Sequence, residues 1–166
     1  MHRIAIERAD RPDVVRLIEE LDGYQKPLYP EESHHGISID ALLRPNVIFA
    51  VARDDVEAIG CGAFVIEHDS KEQGWGELKR MYVRPSHRGR GVARAVLAFL
   101  EAQAIERGAR TARLETGIRQ PEALRLYEAA GYVRRGPFGR YAPDPNSVFM
   151  EKRLVPKIAG LKETHP

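Results

Sequence analysis

The sequence predicts one mixed α/β domain, on three observations: a length suited to a single core, strands and helices that interleave along the chain, and the absence of any internal repeat or linker. At 166 residues the chain can close a sizeable core without metal or disulfide staples. Apolar residues make up 43% and charged residues 30%, a globular balance, and no apolar run approaches the roughly 18 residues that a membrane span requires. The 26 Lys and Arg against 24 Asp and Glu leave a net charge of +2, which speaks against a chain that coats nucleic acid or a membrane surface. Any anion site must therefore be local. One cysteine, Cys61, excludes an intramolecular disulfide, and the opening residues MHRIAIERAD carry no apolar leader, so a cytoplasmic setting is expected.

The first element is a short alternating strand around Ile4 to Glu7. Pro12 then opens a helix whose apolar positions are Val14, Val15, Leu17, Ile18 and Leu21, with Gly23 as its expected end. From Tyr24 to Gly36 the chain is aromatic, proline-bearing and polar, which predicts a loop or broken helix bordering a site, followed by a short helix near Ser38 to Leu43. Asn46 to Arg53 is β-branched and pairs naturally with Glu57 to Glu67 as a hairpin. Gly60 and Gly62 in the second of these strands predict a bulge or a close backbone approach.

A polar loop from His68 to Gly74 leads into a fourth strand, Trp75 to Val83, which Pro85 ends. Beyond Gly91 the period changes: Ala93, Val96, Leu97, Leu100 and Ala104 lie on one helical face, and Gly108 stops that helix. A strand at Ala112 to Thr116 follows, then a helix begun by Pro121, lined by Leu124, Leu126, Tyr127 and Ala130, and stopped by Gly131. Tyr132 to Leu154 holds a strand, a Pro/Gly-rich excursion and a last strand at Ser147 to Lys152. Residues 1–155 are expected to form the domain, and 156–166 a loose tail.

The sharpest chemical signal is the join MYVRPSHRGRGVAR, where a strand ends, two glycines appear one residue apart, and a helix starts at once. Glycines let successive N–H groups point into one small volume, and the helix N-terminus adds partial positive charge, so the turn suits a phosphate or pyrophosphate. Arg88, Arg90 and Arg94 add full charges in and around it. Taken alone, such a stretch is a Gly-rich turn with solvated arginines. It lacks the Lys-Ser/Thr of a nucleotide-hydrolysing P-loop, and it lacks both G-x-G-x-x-G and an N-terminal βαβ unit, which counts against a dinucleotide-binding domain.

The run Arg88, Gly89, Arg90, Gly91, Val92 and Ala93 resembles the [Q/R]-x-x-G-x-[G/A] pyrophosphate loop of the GNAT superfamily of acetyl-CoA-dependent N-acetyltransferases. Leu78 to Val83 is similar to that family's fourth strand, and Pro121 to Tyr132 to its second signature helix. The resemblance is strong over roughly residues 57–132, weaker elsewhere through element order alone, and the ending from Gly136 to Met150 is similar to a group of small bacterial members. It implies a central, mostly antiparallel sheet of six to seven strands flanked by helices, an acyltransferase activity and acetyl-CoA as co-substrate. It further implies that the fourth and fifth strands splay apart and that the pantetheine arm lies between them, bonded to backbone of Met81 and Val83. The pyrophosphate would meet the N–H groups of Arg88 to Ala93, and the Met81 or Tyr82 N–H would face the carbonyl oxygen that gains charge. At Gln120 the family often shows Asn, so a cofactor contact there is the least certain part of the carry-over.

The resemblance places Tyr127 beside the cofactor sulfur, where a phenol of pKa about 10 can donate to a departing thiolate whose parent thiol titrates at roughly 8.5. An alkylammonium titrates near ~10.4 and must lose a proton before attack. Glu77, four residues before Met81, occupies a position similar to the general-base glutamate of some members, with Glu115 on the fifth strand or an ordered water as alternatives. The segment Tyr24 to His35, with Tyr24, Tyr29, Glu31 and Glu32, is expected to form part of the acceptor wall. Its aromatic and acidic content suits a cationic amine, whereas Lys79 and Arg80 suit an acceptor that also carries a carboxylate, such as an amino acid; the sequence leaves both open.

No metal site is expected, because His2, His34, His35, His68, His87 and His165 lack ligand spacing. Cys61 reads as a buried, inert thiol and Trp75 as a packing anchor. No Ser/His/Asp arrangement is visible, so direct attack in a ternary complex is expected rather than an acyl-enzyme. The competing reading is a non-catalytic acyl-CoA-binding module. Partners are thus acetyl-CoA and an amine acceptor, without nucleic acid or membrane, and family analogy allows a homodimer through the C-terminal edge strand.

Overall fold

The structure, a computed structural model, describes residues 2–68 and 74–156. The expected tail lies almost wholly outside them, as does most of the loop after His68. The elements run β1 (His2–Ile6), α1 (Pro12–Gln25), α2 (Ile39–Leu42), β2 (Val47–Asp54), β3 (Glu57–Glu67), β4 (Trp75–Val83), α3 (Val92–Glu106), β5 (Thr111–Gly117), α4 (Pro121–Ala129), β6 (Val133–Arg135) and β7 (Ser147–Arg153). One seven-stranded sheet has the order β1-β2-β3-β4-β5-β7-β6. Every neighbouring pair is antiparallel except β4 with β5, which are joined by the crossover helix α3. This is the mixed, mostly antiparallel sheet that the sequence predicts.

Each face of the sheet carries its own core. On one, Val96, Leu97, Leu100 and Ala104 of α3 are buried against Ile48, Ile59, Phe64, Leu78 and Leu114, with Ala123, Leu124 and Leu126 of α4 packed at the margin. On the other, Val14, Leu17, Ile18 and Leu21 of α1 cover Phe49, Val51, Cys61 and Ala63. Full burial of such a side chain contributes roughly 1.5–3 kcal/mol, so these two rows fix which way each helix faces. Cys61 is completely buried there, and burial pushes its thiol pKa up to about 12, which makes it inert.

Two local expectations change. Helix α1 does not stop at Gly23 but continues to Gln25 and passes into a 3-10 turn at Lys26–Leu28. A mid-helix glycine costs about 1 kcal/mol, less than the burial of Leu17, Ile18 and Leu21 returns, and Gly23 itself faces open space. The segment up to Gly36 is a broken helix of two 3-10 turns, the second at Glu31–Ser33. In β3 both features expected of the glycines occur: a register shift against β4 beside Gly62, and α3 packed so close that a Cβ on Gly62 would lie 3.0 Å from Leu100 Cδ1.

Candidate active site

The site begins where the sheet opens. Parallel pairing of β4 with β5 runs from Trp75↔Thr111 to Leu78↔Leu114 and goes no further. Beyond that point β4 stays with β3 as far as Val83, and β5 stays with β7 as far as Gly117. A bulge explains the divergence: Arg80 and Met81 together oppose Gly62, and Arg80 has φ 56°, a left-handed conformation unusual for a side-chain-bearing residue. Its guanidinium secures the bend, donating to Ile37 O at 3.1 and 2.8 Å and to Asp22 Oδ1 at 2.5 Å.

The opening forms a cavity of about 1060 Å³. At one part of its wall the chain leaves β4 through a 3-10 turn at Pro85–His87 and enters the glycine loop. His87 is buried and fixed by Asp54 Oδ2 at 3.0 Å and Ser86 Oγ at 2.8 Å. Gly89 and Gly91 have φ 76° and 78°, and the direction a Cβ would take from each is empty. Gly91 precedes α3 with no side-chain cap, so the N–H groups of the first helical turn lack intrahelical partners. The residues therefore fit a diphosphate: backbone donors, a helix N-terminus and no side chain in the way.

The arginines divide. Arg88 turns away from the loop, donating from Nε to Val83 O at 3.0 Å, with its guanidinium carbon 5.8 Å from the ring centres of both Tyr24 and Tyr82. Arg94 lines the cavity, and Arg90 is exposed outside its lining. Met81, Tyr82, Val83, Val92 and Ala93 all line it; Tyr82 faces the α1 core, whereas Met81 and Val83 face the α3 core.

Tyr127 lies in the same cavity wall, 6% exposed. Burial, and secondarily the charge of Glu115, raises its phenol pKa well above the usual value, so it stays protonated. Its ring meets Tyr132 edge to face at 5.9 Å. Gln120 also lines the cavity, with Oε1 accepting from Tyr29 Oη at 3.3 Å. Tyr29 Oη in turn accepts from the Arg119 N–H at 3.2 Å and occupies the place a Cβ on Gly117 would take. Tyr24, 45% exposed, sits at the mouth.

The two candidate bases separate. Glu115 lines the cavity, and burial raises its carboxyl pKa, opposed first by the hydroxyl of Ser147 and then by His35 and Lys79, and reinforced by Glu77. Glu77 is outside the lining. Its Oε2 accepts from Tyr141 Oη at 2.5 Å and pairs with Lys79 Nζ at 3.2 Å.

Two contributors, Tyr141 and Gly117, escaped the sequence reading. Tyr141, in the Pro/Gly-rich excursion, ties Glu77 to Lys79 and packs against Phe138 and Phe149; nothing periodic marks it. His35, the last residue of the expected acceptor wall, lines the cavity and meets the Tyr141 ring edge to face at 5.1 Å. Gly117 was legible in principle, as a glycine at a strand end where another chain segment must come close.

The sequence profile of the Acetyltransferase (GNAT) family matches residues 12–132. An IAA acetyltransferase of Azospirillum brasilense is 45% identical over 151 residues, 91% of this chain and 97% of that protein. A solved structure from Klebsiella pneumoniae subsp. pneumoniae superposes with a TM-score of 0.77 at 39% identity, covering 93% of this chain and 99% of that one. In fold alone, the PaiA N-acetyltransferase of Thermoplasma acidophilum, solved with coenzyme A, is also similar: TM-score 0.67, 18% identity, 92% and 99% covered.

Proposed function

The chain belongs to the GNAT acetyltransferase family, and from that premise we propose that it transfers the acetyl group of acetyl-CoA to an amine by direct attack in a ternary complex. One observation carries the reading. The parting of β4 and β5 opens a single cavity whose wall holds the Gly89–Gly91 loop, Tyr127 and Glu115 together.

In this reading the N–H groups of the loop and of the first turn of α3 bind the diphosphate, and Arg94 adds charge. The free edge of β4 at Met81 and Val83 bonds the amide-rich arm as a sheet edge bonds a peptide. The Val83 carbonyl already accepts from Arg88 Nε, which leaves its second lone pair for the arm. The Met81 or Tyr82 N–H faces the carbonyl oxygen as it gains charge.

Two side chains move protons. Tyr127, kept protonated by burial, donates to the departing thiolate. Glu115 takes the proton of the acceptor ammonium: it lines the cavity, and its raised pKa narrows the gap to the amine. Glu77, bonded to Tyr141 and Lys79, shapes the wall instead. The test is release of the coenzyme A thiol on adding amines to protein and acetyl-CoA. Amine-dependent release is expected; binding of coenzyme A without release toward any amine would leave only an acyl-CoA-binding module.

A further inference from the structure

Within that reading, on which this inference rests, we infer that the acceptor is an alkylamine with no carboxylate on the carbon next to its nitrogen. The cations around Glu115 are already committed to the protein's own groups. Lys79 Nζ donates to His35 O at 2.7 Å and to Tyr141 Oη at 2.5 Å, and pairs with Glu77 Oε2 at 3.2 Å. Two of the three N–H bonds of the ammonium are thus donated to protein oxygens, and its charge is paired with the Glu77 carboxylate. Arg80 has its charge paired with the carboxylate of Asp22 and gives two further N–H bonds to Ile37 O. His35 Nε2 makes no hydrogen bond, but it lies 3.9 Å from Asp144 Oδ2, so a charge on that ring has its counter-ion in place.

What remains at this end of the cavity is the carboxylate of Glu115, with Glu77 near enough to raise its pKa further. An incoming ammonium is attracted to it. A carboxylate on the adjacent carbon, two bonds from the attacking nitrogen, would be carried in beside Glu115 and away from water. Asn146 can offer it only neutral dipoles, and Lys26 lines the cavity from an exposed position where solvent screens it. Burying a charge without a charged partner is the repulsive element by which a site rejects a ligand. The ion pairs at Lys79 and Arg80 thus select against amino acids, although those residues taken singly suggest the opposite.

The experiment compares amines with the amino acids from which they differ by one carboxylate and whose α-amine is the only nucleophilic amine: tyramine with tyrosine, agmatine with arginine. Thiol release is followed with acetyl-CoA saturating. In every pair that turns over, kcat/KM for the amine is expected to exceed that for the amino acid by about tenfold or more. An amino acid used as well as its amine would overturn the inference while leaving acetyl transfer intact. Silence toward the whole panel would overturn the transfer reading and the inference with it. Tyr141→Phe removes one partner of Lys79 and frees an N–H, so this variant should narrow the preference; an unchanged ratio would show that the commitment of Lys79 is not what excludes the carboxylate.

Discussion

The hydroxyl of Tyr29 fills the space that a side chain at Gly117 would need, and through this contact the broken helix after α1 is seated on the end of β5. Gly117→Ala should therefore expel Tyr29 and break its bonds to Gln120 and the Arg119 N–H. A loss of about 1–3 kcal/mol in stability is expected, with a larger fall in kcat/KM for the acceptor than for acetyl-CoA. Urea unfolding and steady-state kinetics would show it; wild-type values for both would mean that this seat is not needed.

Tyr127→Phe keeps the buried ring and deletes only the hydroxyl. If the phenol protonates the leaving thiolate, kcat should drop by about 10²-fold, with the KM for acetyl-CoA near that of the wild type. Undiminished turnover would remove Tyr127 from the chemistry.

Gly91→Ala places a Cβ on a residue with φ 78°, where no neighbour obstructs it. The cost is in the backbone, roughly 1–2 kcal/mol, and relief of that strain re-aims the N–H groups of the loop. Titration calorimetry should record several-fold weaker binding of coenzyme A, with little change in acceptor preference. Full affinity in this variant would exclude the loop as the diphosphate cradle.

Glu115 gives a pH signature. Its folded-state pKa is raised by burial, so the carboxylate acting as base appears only above the ordinary glutamate range, and kcat/KM for the acceptor should climb through the raised value. Glu115→Gln should remove that rising limb. Stability moves in the opposite direction, because the folded state binds the proton more tightly than the unfolded chain does. The contribution of Glu115 is whole below the unfolded pKa and is lost as pH rises through the folded one. Melting curves recorded from acid to neutral pH should thus decline more for the wild type than for Glu115→Gln.

Periodicity and turn chemistry made much of the frame readable. Glu57–Glu67 and Trp75–Val83 stand where alternation and Pro85 put them, and the stops at Gly108 and Gly131 follow from left-handed backbone that glycine adopts without cost. The glycine loop was readable for the same reason. The different placement of Glu77 and Glu115 was not, because Glu77 is held by Tyr141, a residue distant in the chain that reaches both Glu77 and Lys79 across the sheet. The partners of Lys79 and Arg80 were hidden for a related cause: sequence reports a charge but not the neighbour that pairs with it. Gly23 shows the limit of local signals, since burial one turn earlier carried α1 past it.

Among the described residues, the four-residue seam between β4 and β5 is the sole strand-to-strand suture in a sheet otherwise made of two separate antiparallel leaves, β1–β4 and β5–β7. A ligand arm that bonds both lips of the cleft lengthens that suture by main-chain contacts of the same kind that hold the leaves themselves. Occupancy then becomes part of tertiary structure, and the molecule should resist heat and proteases best when its donor substrate is bound.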